Sequence, residues 1–145
     1  MDNIVIRRLK PADAADVSRI SSSITRGYNQ TDFRNIIEMQ ARSEGDASFV
    51  AEKGTRLVGY CIGLVLPVSF GVEKSAWLAL IGVDPDFMGQ GIGAKLADEA
   101  MKYYKVLGIQ DVYTTVRWDA TDLLSYFKTL GFGRSDFVML HKSLK

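Results

Sequence analysis

The run from Leu80 to Lys95 constrains this chain more than any other. Leu80-Ile81-Gly82-Val83 reads as an apolar strand, Asp84-Pro85-Asp86 as a break, and Met88-Gly89-Gln90-Gly91-Ile92-Gly93-Ala94 as a glycine-rich turn into a helix. Glycines at alternating positions let the backbone adopt positive φ and bring bare N–H groups close to a ligand. The first turn of a helix adds unpaired N–H groups and the positive end of its dipole, and together these favour phosphate or pyrophosphate. A purely structural connection has no need of three glycines at a strand-to-helix junction, where each costs backbone entropy.

Two familiar phosphate motifs are tested by spacing. A Walker loop requires Gly-Lys-Ser/Thr at its end, and Gly93-Ala94-Lys95-Leu96 does not supply it. The dinucleotide pattern Gly-x-Gly-x-x-Gly/Ala is matched literally by Gly89, Gly91 and Ala94, with Asp111 downstream. That motif opens its domain, whereas here most of the chain comes before it. A dinucleotide-binding protein is therefore the distant reading.

The order of elements can be followed along the chain. Ile4 and Ile6 open a short strand that Pro11 stops, and Val17 and Ile20 share the face of a first helix. Arg26 to Gln30 reads as a loop, and Thr31 caps a second amphipathic helix carrying Phe33, Ile36 and Ile37, which Gly45 ends. Ser48 to Glu52 and Arg56 to Val65 form a hairpin turning at Lys53-Gly54-Thr55, and Val72 to Val83 a central strand. A helix runs from about Ile92 to Leu107. A strand spans Val112 to Arg117, a helix capped by Asp119 or Thr121 reaches Leu130, and Phe137 to Leu140 makes a last strand. The order β-α-α-β-β-β-α-β-α-β predicts an α/β fold with one mixed, twisted sheet and helices on both faces. With 145 residues, no internal repeat and no linker, a single domain over 1–145 is expected.

Charge and cysteine usage exclude several classes. With 18 basic and 17 acidic side chains the net charge is +1, so no domain-wide basic field is available for nucleic acid. One cysteine, Cys61, and one histidine, His141, do not make a zinc site of the usual ligand set, and no metal is expected. Cys61 reads as a small buried hydrophobe. The most apolar stretch, Leu57 to Phe70, is interrupted by Gly59, Gly63 and Pro67 and falls short of a membrane span. No charged leader with an apolar core opens the sequence, and a reduced, cytoplasmic setting is expected.

The glycine turn resembles motif A of the GCN5-related N-acetyltransferases, Val-x-Pro-x-x-Arg/Gln-x-x-Gly-x-Gly/Ala, which lies over Val83, Pro85, Met88, Gly91 and Gly93. Met88 stands where the family has Arg or Gln. A second match is similar to motif B, Asn-x-x-Ala-x-x-Leu/Phe-Tyr-x-x-x-Gly-Phe, and ends on Gly131-Phe132. There Phe127 replaces the usual tyrosine, with Tyr126 beside it, and Ala120 replaces the asparagine. The two matches cover about half the chain. The resemblance implies an acyl-coenzyme A fold and binding of acetyl-coenzyme A, its diphosphate on Met88, Gly89, Gln90, Gly91, Ile92, Gly93 and Ala94. It implies a pantetheine arm along Ile81, Gly82 and Val83, with Phe127 near the cofactor. Tyr28, with Asn29 in the loop between the first helices, would line an amine pocket, although a solvated loop is an equally good reading.

The implied reaction is acetyl transfer to a primary amine of a small molecule or peptide, by direct attack, in a monomer or homodimer. A backbone donor aimed at the thioester oxygen stabilises the tetrahedral intermediate by about 3 kcal/mol. The amine must be neutral. A lysine of pKa about 10.4 is uncharged roughly once in a few thousand molecules at pH 7, whereas an α-amine near about 8 is uncharged in about one of ten. No carboxylate lies between Ser75 and Val83, so Glu73, just upstream, is the nearest candidate base, beside a water relay or a less basic amine. Tyr126 is the candidate proton donor to the leaving thiolate, weighed against the reading that Tyr126 and Phe127 are core aromatics. A rival from another class is an acyl-coenzyme A sensor or interaction module that has lost catalysis.

Overall fold

Apolar residues on alternate positions, or on both faces, account for the strands. The structure, a computed structural model, describes residues 3–25, 47–69, 72–117 and 119–145, with the side chains at 24–25, 66–69 and 72–74 outside that description. The chain divides into two units, Met1–Thr114 and Thr115–Lys145.

The first unit holds one five-stranded sheet in the order β1-β2-β3-β4-β5. Its strands are β1 (Ile4–Arg8), β2 (Phe49–Lys53), β3 (Arg56–Ser69), β4 (Val72–Val83) and β5 (Val112–Tyr113). The first three pairings are antiparallel and the last, β4 with β5, is parallel. Gly54 and Thr55 form the turn between Lys53 and Arg56, so the expected hairpin is present.

Period-two alternation on β3 sends its side chains to two helices. Tyr60 and Ile62 join Leu9, Val17, Ile20, Val50 and Leu57 in one core cluster, Val17 and Ile20 coming from helix α1 (Ala14–Thr25). Gly59, Cys61 and Gly63 turn the other way, towards helix α2 (Ile92–Val106). There Ile92, Leu96, Ala97, Ala100 and Tyr104 recur at helical spacing and are buried. Each large apolar side chain so covered contributes about 1.5–3 kcal/mol. The glycine turn thus leads into a helix whose inner face is locked to the sheet.

The N-terminal end is tied by charge. Arg7 donates to both Asp13 carboxylate oxygens, at 2.9 and 2.8 Å, and to Glu52 at 2.7 Å, and the Lys10 amide donates to Asp13 at 2.7 Å. Burial pushes the Asp13 carboxyl up, but the Arg7 and Lys10 hydrogen bonds outweigh it and hold the group below the ordinary carboxylate range.

The second unit contains helix α3 (Thr121–Thr129). Phe127 is its buried residue, edge-on to Phe132 at 5.4 Å and to Tyr126 at 5.8 Å. This favours the core-aromatic reading of Phe127 within its own unit.

Several local expectations are corrected. Neither Asp119 nor Thr121 caps α3: Ala120 holds that position without a side-chain bond, and Asp119 is engaged by Arg117 at 3.0 and 2.9 Å. Phe137 to Leu140 belong to no ladder among the described residues, and Val138, Met139 and Leu140 are exposed. β-propensity alone does not make a strand without a paired neighbour. The expected strand to Arg117 ends at Tyr113, for a reason given below. The expected helix from Thr31, with Phe33, Ile36 and Ile37, lies outside the described residues.

Candidate functional site

A surplus residue on β4 begins the site. Gly63 pairs with Leu78 and Ile62 with Leu80, so Ala79 has no partner on β3 and forms a β-bulge. A bulge bends its strand, and this one sits where β5 departs. β5 is matched to β4 only at Ala76 with Val112 and Trp77 with Tyr113. At the next position the Thr114 hydroxyl donates to the Leu78 carbonyl at 2.7 Å, taking an acceptor that a continued ladder would use. The parallel ladder therefore stops, and β4 runs on beside β3 alone among the described residues.

Which backbone groups this frees follows from the register. The Asp84 amide donates to the Val58 carbonyl at 2.8 Å, and Gly82 pairs with Tyr60 two residues earlier. Main-chain groups alternate in direction along a strand, so Asp84 and Gly82 bond towards β3, while the N–H and C=O groups of Ile81 and Val83 face the side that β5 has left. Gly82 supplies space: a Cβ there would lie 2.6 Å from the Tyr60 ring. Burial raises the Tyr60 hydroxyl pKa, against a hydrogen bond with Ser21.

The turn continues from this edge. Asp84 precedes a 3-10 turn over Pro85–Phe87 and accepts the Asp86 amide at 3.0 Å. Gly89 and Gly91 take φ of 82° and 76°, left-handed values that side chains rarely adopt. A Cβ added at either would meet nothing within 4 Å, so the space beside them is open. Gly91 is the N-cap of α2, and Lys95 is bonded back to the Gly91 carbonyl at 3.1 Å. The amides of Ile92, Gly93 and Ala94 thus precede the first intrahelical bond. Ile92 and Gly93 are buried while Gly89, Gln90, Gly91 and Ala94 are exposed. Open space beside free amides at a helix start suits a diphosphate. Met88 is 54% exposed and brings no N–H donor in its side chain.

Glu73 lies near the start of β4, eight residues from Ile81, which is about 26 Å along an extended strand. Its side chain lies outside the described residues, as do Tyr28 and Asn29. Tyr126 is half-buried beside Phe127 in the second unit. Cys61 is fully buried, its thiol pushed up to about 12 by burial, which leaves it an inert hydrophobe. No group of three or more metal-ligating side chains occurs among the described residues, and no described helix is long and apolar enough to cross a membrane.

Sequence reasoning missed a charged cluster at the mouth of the turn. The Asp84 carboxylate, 4% exposed, accepts Arg19 at 3.1 Å and Arg56 at 3.0 Å on one oxygen. Burial pushes its pKa up, but the Asp86 amide and the two guanidiniums outweigh this and hold it below the ordinary range. The partners are 65 and 28 residues away, and the only local signal was an acid before Pro85.

Comparison with known proteins bears on the family and the fold. A mycothiol acetyltransferase of Saccharomonospora viridis is 29% identical over 110 residues, covering 72% of this chain and 36% of that protein. The N-alpha-acetyltransferase RimI of Mycobacterium tuberculosis is 34% identical over 88 residues, covering 58% and 50%. The chain spans about a third of the length of the mycothiol acetyltransferases it matches (36%, 34% and 28%). In the fold comparison, the aminoglycoside N-acetyltransferase AAC(6')-Iy in complex with CoA superposes with a TM-score of 0.85 at 15% identity, covering 100% of this chain and 97% of that one. The model of the Acetyltransferase (GNAT) family matches residues 15–132. This chain belongs to the GNAT family of acetyltransferases.

Proposed function

We propose that the chain is an N-acetyltransferase that moves the acetyl group of acetyl-coenzyme A to a primary amine of a small molecule or peptide. The observation that carries this reading is the continuity of two features: the main-chain edge at Ile81 and Val83 leads through a short turn to the open space beside Gly89 and Gly91. In this reading the amides from Gly89 to Ala94 hold the diphosphate, Ile81 and Val83 hold the pantetheine arm, and Gly82 leaves room for the Tyr60 ring packed beside that edge. When bound, acetyl-coenzyme A supplies an activated thioester. An amide of the β4 edge stabilises negative charge developing on its oxygen.

The resolved pKa shifts bear on the base. Asp13, Asp84 and Asp119 are all held below the ordinary carboxylate range with arginine partners, which makes them weak proton acceptors near neutrality. An amine already partly neutral, such as an α-amine, or deprotonation through water, would not need any of these three. A cytoplasmic setting accords with the chemistry of such a cosubstrate.

A sensor or interaction module that binds acyl-coenzyme A without turnover is the second reading, favoured by the bare thioether at Met88 and by the buried Phe127. Free-thiol release from acetyl-coenzyme A, measured against peptides with free α-amines, lysine peptides, polyamines and aminoglycosides, separates the two. Release with at least one amine is expected. Tight coenzyme A binding with no release in any case would overturn catalysis and leave the sensor.

A further inference from the structure

At Gly89 and Gly91 an added Cβ would meet only open space, so nothing packs against the turn at those two points. Glycine loses more backbone freedom on ordering than any other residue, so a ligand gripping such a turn works against that freedom unless the flanks are fixed. On the downstream side α2 is fixed by its buried face. On the upstream side the short segment from Asp84 to Phe87 is held from two directions. Asp84 is the shared acceptor of Arg19 on α1 and Arg56 on β3, at 3.1 and 3.0 Å. Arg19 also donates to the Leu57 carbonyl at 2.9 Å, so one guanidinium joins α1, β3 and the turn. Three residues on, the Phe87 ring lies under Lys53 at 5.4 Å and Arg56 at 5.5 Å, within cation–π reach. None of these groups belongs to the glycine turn.

We propose that Arg19, Asp84 and Arg56 form a positioning cluster that presets the Met88–Ala94 turn for the diphosphate of coenzyme A; this rests on the proposed function. Asp84 acts through the backbone: by fixing the segment that delivers Gly89, it lowers the ordering that ligand binding must impose. The cluster also ties α1, the helix leading towards the expected acceptor loop, to the cofactor turn.

The test is isothermal titration with coenzyme A on the unmutated chain and on Asp84→Asn, Arg19→Ala, Arg19→Lys, Arg56→Ala and the Arg19→Ala/Asp84→Asn double variant. Circular dichroism at the titration temperature confirms that each is folded. Asp84→Asn is expected to weaken coenzyme A binding about tenfold, and the double variant to be little worse than Asp84→Asn alone, because contacting residues couple. Arg19→Lys keeps the charge without the fork and should recover part of the loss seen in Arg19→Ala. In turnover, KM for acetyl-coenzyme A rises while kcat at saturation stays level, a split that a general loss of folded protein does not produce. Unchanged coenzyme A affinity in folded Asp84→Asn overturns the proposal, as does a fall in kcat with KM constant. Should Asp84→Asn not fold, Arg56→Ala decides alone, since that side chain is half exposed and its removal leaves the fold in place. An unmutated chain that fails to bind coenzyme A overturns the functional reading itself, and the cluster's role with it.

Discussion

The two helices that carry the family's motifs are built differently. α2 follows the glycine turn and buries a continuous face, with Leu96 and Ala100 fully covered, against a sheet strand that presents glycine to receive it. α3 precedes Gly131 and buries Phe127, while Leu123 and Leu124 stay 43% and 39% exposed. Both regions contain glycines with positive φ and open space. The difference teaches that two glycine motifs of similar local conformation can stand on supports of very different extent. In α2 packing supplies that support; in α3, described by itself, a small aromatic cluster does.

The contrast can be broken most directly at the packing. Leu96→Ala should destabilise the chain by about 3 kcal/mol, the range for a fully buried leucine, whereas Leu123→Ala should change stability by less than about 1 kcal/mol. Urea unfolding followed by circular dichroism measures both, and equal losses would erase the distinction. Next in size is the glycine turn itself. Gly91→Val places a branched side chain at φ of 76° and over the expected phosphate. It should weaken coenzyme A binding at least about 100-fold, equivalent to about 2.7 kcal/mol. Undiminished affinity in a folded variant would remove the site from this turn.

The smallest effect concerns pH. Asp13 has its pKa lowered in the fold, so it contributes stability that is fully present above its unfolded pKa and is lost as pH falls through the lower folded value. The window therefore lies at and below the ordinary carboxyl value of 3.8. After solvent screening the gain is less than about 1 kcal/mol. Asp13→Asn should flatten the acid limb of a stability profile, and an unaltered limb would show that other carboxylates carry it.

How much could be read from the residues follows from how local each signal is. The turn at Gly54-Thr55, strand β4 and helix α2 carry their instructions within a few residues: a glycine at positive φ, an apolar run, a 3.6-residue stripe. All three appear where periodicity places them. The positive φ at Gly89 and Gly91 was readable for the same reason. The end of β5 was not, because it depends on the Thr114 hydroxyl meeting Leu78 36 residues earlier in the chain. Nor was the Asp84 cluster, whose arginines come from α1 and the hairpin. Phe137 to Leu140 has the composition of a strand, but a ladder requires a neighbour that composition does not name. Glu73 lies within the strand that the sequence already placed at Val72 to Val83, eight residues before Ile81.

The bulge at Ala79 has a wider meaning for how such a protein diversifies. The bulge is a matter of arithmetic, one more amino acid on β4 than on β3 across a single step, and the groups that turn away from β3 beyond it belong to the peptide bond. Under the proposed function, side chains along that margin are free to drift without dismantling a grip made by the backbone, and choice among acceptors can be rewritten elsewhere in the chain.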